Sequence, residues 1–271
     1  MNTKWFFQFF STGPLSRTLI ILTLLFSLSQ YTSAVQSNES AKYKGSNILL
    51  VVGDENGTSE PGKGIGDVFT IARLKDVLGH NVILGFDHDP ADKLQKAAAE
   101  ADLVIVAESV SSAKLLTKLK MVETPIINYE GHIQDDMGFT ALVPAGDPGE
   151  PSECAYGVRD LETKISIVDP GHPLAAGFKG DVKVYTEPKQ ITWGTVAISA
   201  DVIAILPGDK RGATLYVYPK GAILIDGTKA AGLRVGFFLE DDDETGTANL
   251  MTEDGLHLFD EAVKFALDAG N

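Results

Sequence analysis

Cysteine is nearly missing from this chain: among 271 residues only Cys154 is present, so no internal disulfide can form. Basic residues are also scarce, with 23 Lys and Arg against 37 Asp and Glu, for a net charge of −14. A surface of that sign repels nucleic acid and anionic lipid, which excludes both as main partners. The five His show no H-x-x-x-H spacing, so zinc has no support. No G-x-S-x-G occurs, and a serine nucleophile on a strand-to-helix elbow is excluded with it. The apolar run at Thr18–Leu28 is too short for a comfortable membrane span.

That run has a different use. Lys4 and Arg17 precede it and Thr32-Ser33-Ala34 follows it, the layout of a signal peptide with small residues at the cleavage site. The reading is an exported protein with a signal peptide over residues 1–34, a polar leader over 35–46, and no membrane association beyond the signal segment. Residues 1–34 hold two basic and no acidic residues, so the mature charge is −16. The remaining length suits one good core.

Asn47–Gly53 (N-I-L-L-V-V-G) is a continuous apolar run, as in a strand buried on both faces. Beyond a Gly-rich loop, Ile65–Leu78 has helical spacing and ends at Gly79. Val82–Phe86 is a strand, and Pro90 opens an Ala-rich helix to Ala101. Leu103–Ala107 is a third strand, Ser112–Leu119 a helix, and Thr124-Pro125 enters a fourth strand. These alternations predict an α/β fold with a doubly wound, mostly parallel, flavodoxin-like sheet. Shorter segments follow at Thr163–Val168, Val182–Tyr185, Val202–Leu206, Thr214–Tyr218 and Ala222–Ile225. They predict antiparallel additions in the second half, before a core strand at Leu233–Leu239. Thr252 caps a last helix that buries Leu256, Phe259, Val263 and Leu267. A single domain over 47–270 results.

The candidate chemistry sits at strand ends, where open α/β sheets bind ligands. Glu130 ends the fourth strand in T-P-I-I-N-Y-E-G-H, with Gly131 opening the turn and His132 beyond it. Asp54 ends the first strand, and Glu108 and Ser109 end the third. Gly57–Gly64 nearly matches a P-loop, but Gly64 stands where Ser or Thr would ligate magnesium, so no nucleotide is expected. Asp241 and Asp243 echo a calcium loop whose twelfth-position Glu is replaced by Thr252. No cofactor is expected, and calcium or another divalent cation at those two residues is the one exception. His172, in G-H-P-L-A-A-G, is a further ligand-binding candidate, although taken alone it reads as a structural turn residue before a ligand or base. Cys154 lies in a Pro-Gly-Glu excursion and reads as an incidental thiol. Tyr129 and Trp193 can stack on a sugar or fill the core.

Taken together, I-L-L-V-V-G-D (48–54), A-D-L-V-I-V-A-E-S (101–109), T-P-I-I-N-Y-E (124–130), G-H-P-L-A-A-G (171–177) and G-L-R-V-G-F-F-L-E (232–240) resemble the class I glutamine amidotransferase-like superfamily, nearest its trehalose-utilisation (ThuA-like) branch. The resemblance implies a nucleophilic Cys on or next to Glu130 and a base His on or next to Glu240. Neither is present. A carboxylate attacks acyl carbon far less well than a thiolate, so the sequence excludes amidotransferase chemistry. Two readings remain. One is a non-catalytic binding or assembly module with a partner protein. The other is a carbohydrate-active enzyme whose Glu130 and Glu240, with Asp54 and Glu108, serve as acid–base groups or cation ligands for a saccharide.

Overall fold

The computed structural model describes residues 44–53, 65–141, 156–240 and 246–270. Strand β1 (Asn47–Val52) is buried along nearly its whole length, as its unbroken apolar run requires. Helix α1 (Ile65–Ala72) widens at its end into a π turn (Arg73–Val77). Gly79, at φ +77°, then reverses the chain, and the His80 amide reaches back to the Leu74 carbonyl. Next come β2 (Asn81–Phe86), α2 (Ala91–Ala99), β3 (Leu103–Val106), α3 (Ser112–Leu115) and β4 (Ile126–Asn128). The helix expected over Ser112–Leu119 stops at Leu115 because Leu116 takes φ +49°, which no right-handed helix can continue through.

β1 pairs in parallel with β2 and with β3, and β3 pairs with β4. The next neighbour comes from far along the chain: β11 (Arg234–Gly236) lies parallel to β4. The order β2-β1-β3-β4-β11 is the flavodoxin-like doubly wound order, with its last strand supplied late.

Among the described residues six further strands are antiparallel: β5 (Tyr156–Glu162), β6 (Lys164–Ile167), β7 (Gly180–Lys183), β8 (Lys189–Gly194), β9 (Asp201–Leu206) and β10 (Asp209–Tyr218). β10 runs beside β11 and there the sheet branches, to β9, β6 and β7 on one path and to β8 and β5 on the other. The sheet is therefore mixed, with its parallel pairs confined to five strands. Tight turns such as Pro207-Gly208 permit only antiparallel neighbours, since a parallel crossover needs a dozen residues or more. The segments Tyr156–Glu162 and Lys189–Gly194 were not expected as strands. The strand expected at Ala222–Ile225 is instead a turn held by one bridge, Ile223 to Lys229.

α4 (Glu253–Gly270) starts as expected, with the Thr252 hydroxyl accepting from the Gly255 amide at 3.1 Å. It buries Leu258, Phe259, Ala262, Val263, Ala266 and Leu267, while Leu256 is only half-buried. Each large apolar side chain so placed contributes about 1.5–3 kcal/mol. Beneath β11 the Arg234 guanidinium is fully buried and donates to the carbonyls of Lys120, Val122, Thr124 and Leu233. Burial pulls its pKa down to about 10. This one side chain pins the segment that leads into β4.

Candidate functional site

The parallel pairing of β4 with β11, Asn128 opposite Gly236, carries the chain past both strand ends to Glu130 and Glu240. Tyr129 is still tied to the sheet, its amide donating to the Val106 carbonyl. Glu130 is extended, and Gly131–Ile133 then forms a single 3-10 turn. The Glu130 carboxylate caps that turn, accepting from the His132 amide at 2.9 Å. The Glu240 carboxylate accepts from the Gly131 amide, also at 2.9 Å. Both candidate catalytic carboxylates therefore converge on this elbow, and each is bonded to one of its amides.

Gly131 is needed for close approach rather than for an unusual φ. A Cβ there would stand 2.3 Å from Glu240 Oε2 and 2.7 Å from Thr192 Oγ1. The turn is braced from the antiparallel half of the sheet. The Gln134 carboxamide donates to Thr192 Oγ1 at 3.0 Å and to the Gly131 carbonyl at 3.3 Å, and it accepts from the Tyr216 hydroxyl. Gly236 makes room for the Tyr216 ring, which lies where a Cβ on that strand would be. Gln134, Thr192 and Tyr216 were not singled out in the sequence. Gln134 carried a faint signal, being a polar residue between Ile133 and Met137 just beyond the elbow, but strand neighbours 58 and 82 positions away left none.

A second polar group lies at the ends of β1 and β3. Ser109 Oγ accepts from the Gly53 amide at 2.9 Å and donates to Asp67 Oδ2 at 2.7 Å. In this strand order the β1/β3 boundary is the crevice where ligands bind, and here one hydroxyl bridges it. Glu108 packs its carboxylate against the first turn of α1, where a Cβ on Gly66 would meet Glu108 Oε1 at 2.4 Å. Burial first, then the charges of Glu108 and Asp67, push the Tyr129 hydroxyl well above its ordinary pKa, against the Thr70 hydroxyl. Burial, then Glu108 and Glu240, do the same to Tyr185, opposed by the Glu240 amide. Glu108 and Glu240 thus act on one buried phenol. Asp67 and Tyr185 are further members that the sequence did not flag.

The remaining candidates are dispersed. His132 is exposed, its ring edge-on to Tyr156 at 6.5 Å. Tyr156 is pushed up to about 12 by burial, by the charge and hydrogen bond of Asp135, and by Asp136 and Glu130. His172 is a structural cap: its Nδ1 accepts from the Leu174 amide at 3.1 Å and its ring packs on Phe265 of α4. Tyr129 and Trp193 are core residues, with no face open to a sugar. Asp54, Asp241, Asp243, Cys154, the whole P-loop-like stretch and residues 1–43 lie outside the described residues. Among the described residues no group of three or more His, Cys, Asp or Glu is arranged to hold a metal ion. A cleft of about 490 Å³ opens at the opposite end of the sheet, between Thr124-Pro125, Gly232-Leu233 and the last turn of α4.

No family model and no curated protein matches this sequence. Solved structures do resemble it. A ThuA-like protein from Parabacteroides merdae ATCC 43184 has a TM-score of 0.49 at 11% identity, over 82% of this chain and 90% of that one. A ThuA-like protein from Bacteroides uniformis ATCC 8492 has a TM-score of 0.43 at 8% identity, over 82% and 92%. The glutaminase domain of Trypanosoma brucei CTPS with bound acivicin has a TM-score of 0.43 at 10% identity, over 81% and 94%. These neighbours are ThuA-like proteins and a glutaminase domain, the groups the sequence resembles. The likeness is one of chain path, and no residue's role is carried across from it.

Proposed function

We propose that this chain is an exported, non-catalytic binding or assembly module on an amidotransferase-like scaffold. One observation carries the reading: the Gly131 and His132 amides already donate to the carboxylates of Glu240 and Glu130. In acyl-transfer sites the amide after the nucleophile is a donor held for the developing oxyanion. Here that position is filled from within the molecule. A carboxylate fixed on the donor repels a second anion there. The burial of Tyr129 and Trp193 supports the same reading, since neither ring is available to a saccharide. Export rests on the signal-peptide pattern over residues 1–34. Scaffold alone supplies no activity.

The test is thermal unfolding of the processed chain against a panel of sugars and divalent cations, with glycoside and glutamine turnover measured alongside. The module reading expects no turnover and no ligand-induced shift that depends on Glu130. A ligand at a hundred times its dissociation constant stabilises by about 2.7 kcal/mol, a readily visible shift. A shift with a sugar, calcium or manganese that disappears in Glu130→Gln would favour the carbohydrate-active reading instead.

A further inference from the structure

Among the described residues, β2, β5 and β7 each form a free edge of the sheet. Two of these edges are defended. β7 carries Asp181 and Lys183 within four residues. β5 carries Arg159, Asp160 and Glu162, and its pairing with β8 is interrupted next to Leu161, which sits at φ +59°. Charges and bulges are the usual means of keeping an edge from pairing with another chain. β2 has neither. Its sequence, Asn-Val-Ile-Leu-Gly-Phe, holds no charge and no proline, and its six residues keep unbroken register with β1.

The groups this edge presents follow from the hydrogen bonds on its other side. The amides of Asn81 and Asp87 point inward, to the carbonyls of Ser46 and Val52. Alternation along a strand then turns Ile83 and Gly85 inward and Val82, Leu84 and Phe86 outward. The outward Phe86 amide is taken by Asp89 Oδ2 at 3.1 Å, which ends the edge there. The opening consists of the backbone groups of Val82 and Leu84, either side of Ile83, whose side chain is 41% exposed.

This pattern is complementary to itself. Two copies meeting antiparallel, with a twofold axis at Ile83, set Val82 of each opposite Leu84 of the other. Both are outward-facing, so each pair exchanges two hydrogen bonds and four form in all. The two Ile83 residues then face each other as a non-hydrogen-bonded pair, the closer of the two spacings, about 4.5 Å between Cα atoms. No charge on the strand opposes this, although the chain as a whole is strongly acidic. We infer that the protein self-associates as a twofold dimer through β2, making one continuous sheet across two copies. The inference stands apart from the reading of the elbow and does not depend on it.

The experiment is sedimentation velocity on the chain purified after export, beside Ile83→Lys and Ile83→Glu. The wild type is expected at twice the monomer mass, and each variant at the monomer mass with an unchanged far-ultraviolet melt, because the altered side chain lies at the surface. An equal mixture of the two variants is expected to regain the dimer, since opposite charges would then face each other across the axis. A monomeric wild type overturns the inference, as does a dimer that survives both substitutions. A mixture that stays monomeric overturns the Ile83 register. A monomeric wild type whose Val82 and Leu84 amides resist hydrogen exchange would give the edge to another segment of the same chain, which also overturns it.

Discussion

The two halves of the sheet reach the same elbow with different chemistry. The parallel half supplies charge: Glu130 follows β4 and Glu240 follows β11. The antiparallel half supplies neutral polar groups: Thr192 from β8 and Tyr216 from β10, both meeting Gln134. Carboxylates at the ends of parallel strands are commonly read as catalytic, because ligands bind there. Here the neutral half holds the turn in position while the charged half fills its amides. On the proposed reading, strand ends that could build a reaction centre close one instead.

The largest expected effect tests the anchoring of the parallel half. Arg234→Leu removes a buried guanidinium that satisfies four carbonyls around the entry to β4. Each buried carbonyl left without its donor costs about 1–3 kcal/mol, and the summed loss is read from urea denaturation. A loss near zero would mean that β4 and its elbow are positioned by the strand pairs alone. Glu240→Ala is next. It strands the buried Gly131 amide, at about 1–3 kcal/mol, whereas Glu240→Gln keeps an acceptor and should lose less. Equal losses in the two variants would break the claim that the carboxylate acts through that bond. Tyr216→Phe is smallest, about 0.5–1.5 kcal/mol for one neutral hydrogen bond to Gln134. A loss larger than that of Glu240→Ala would reverse the division between brace and charge.

The parallel half was legible because β1 and β3 are unbroken apolar runs of the kind a doubly buried strand requires. Its helices carried their own punctuation in Gly79, Pro90 and Thr252. The antiparallel half was less legible for a physical reason. β5 is an edge strand with Arg159, Asp160 and Glu162 partly solvated, so its pattern has no apolar face to count. β8 was hidden because Lys189 and Gln190 open it, although Lys189 is itself buried. Ala222–Ile225 had the composition of a strand, but the turns at Pro219-Lys220-Gly221 and Asp226-Gly227 leave no room for one to pair. At the elbow, the positions of Glu130 and Glu240 were readable and their partners were not. A hydrogen bond between residues 109 positions apart leaves no trace in spacing.

Hydrogen exchange at the Gly131 amide tests the central claim most directly, measured in the wild type and in Glu240→Ala under native conditions. With the Glu240 carboxylate seated on that amide, exchange is slow in the wild type, and it accelerates in the variant by more than the global loss of stability explains. An amide that exchanges freely in the wild type, or at one rate in both proteins once global stability is allowed for, would contradict the account. The elbow would then hold an open donor, and the case for catalysis at these strand ends would stand again.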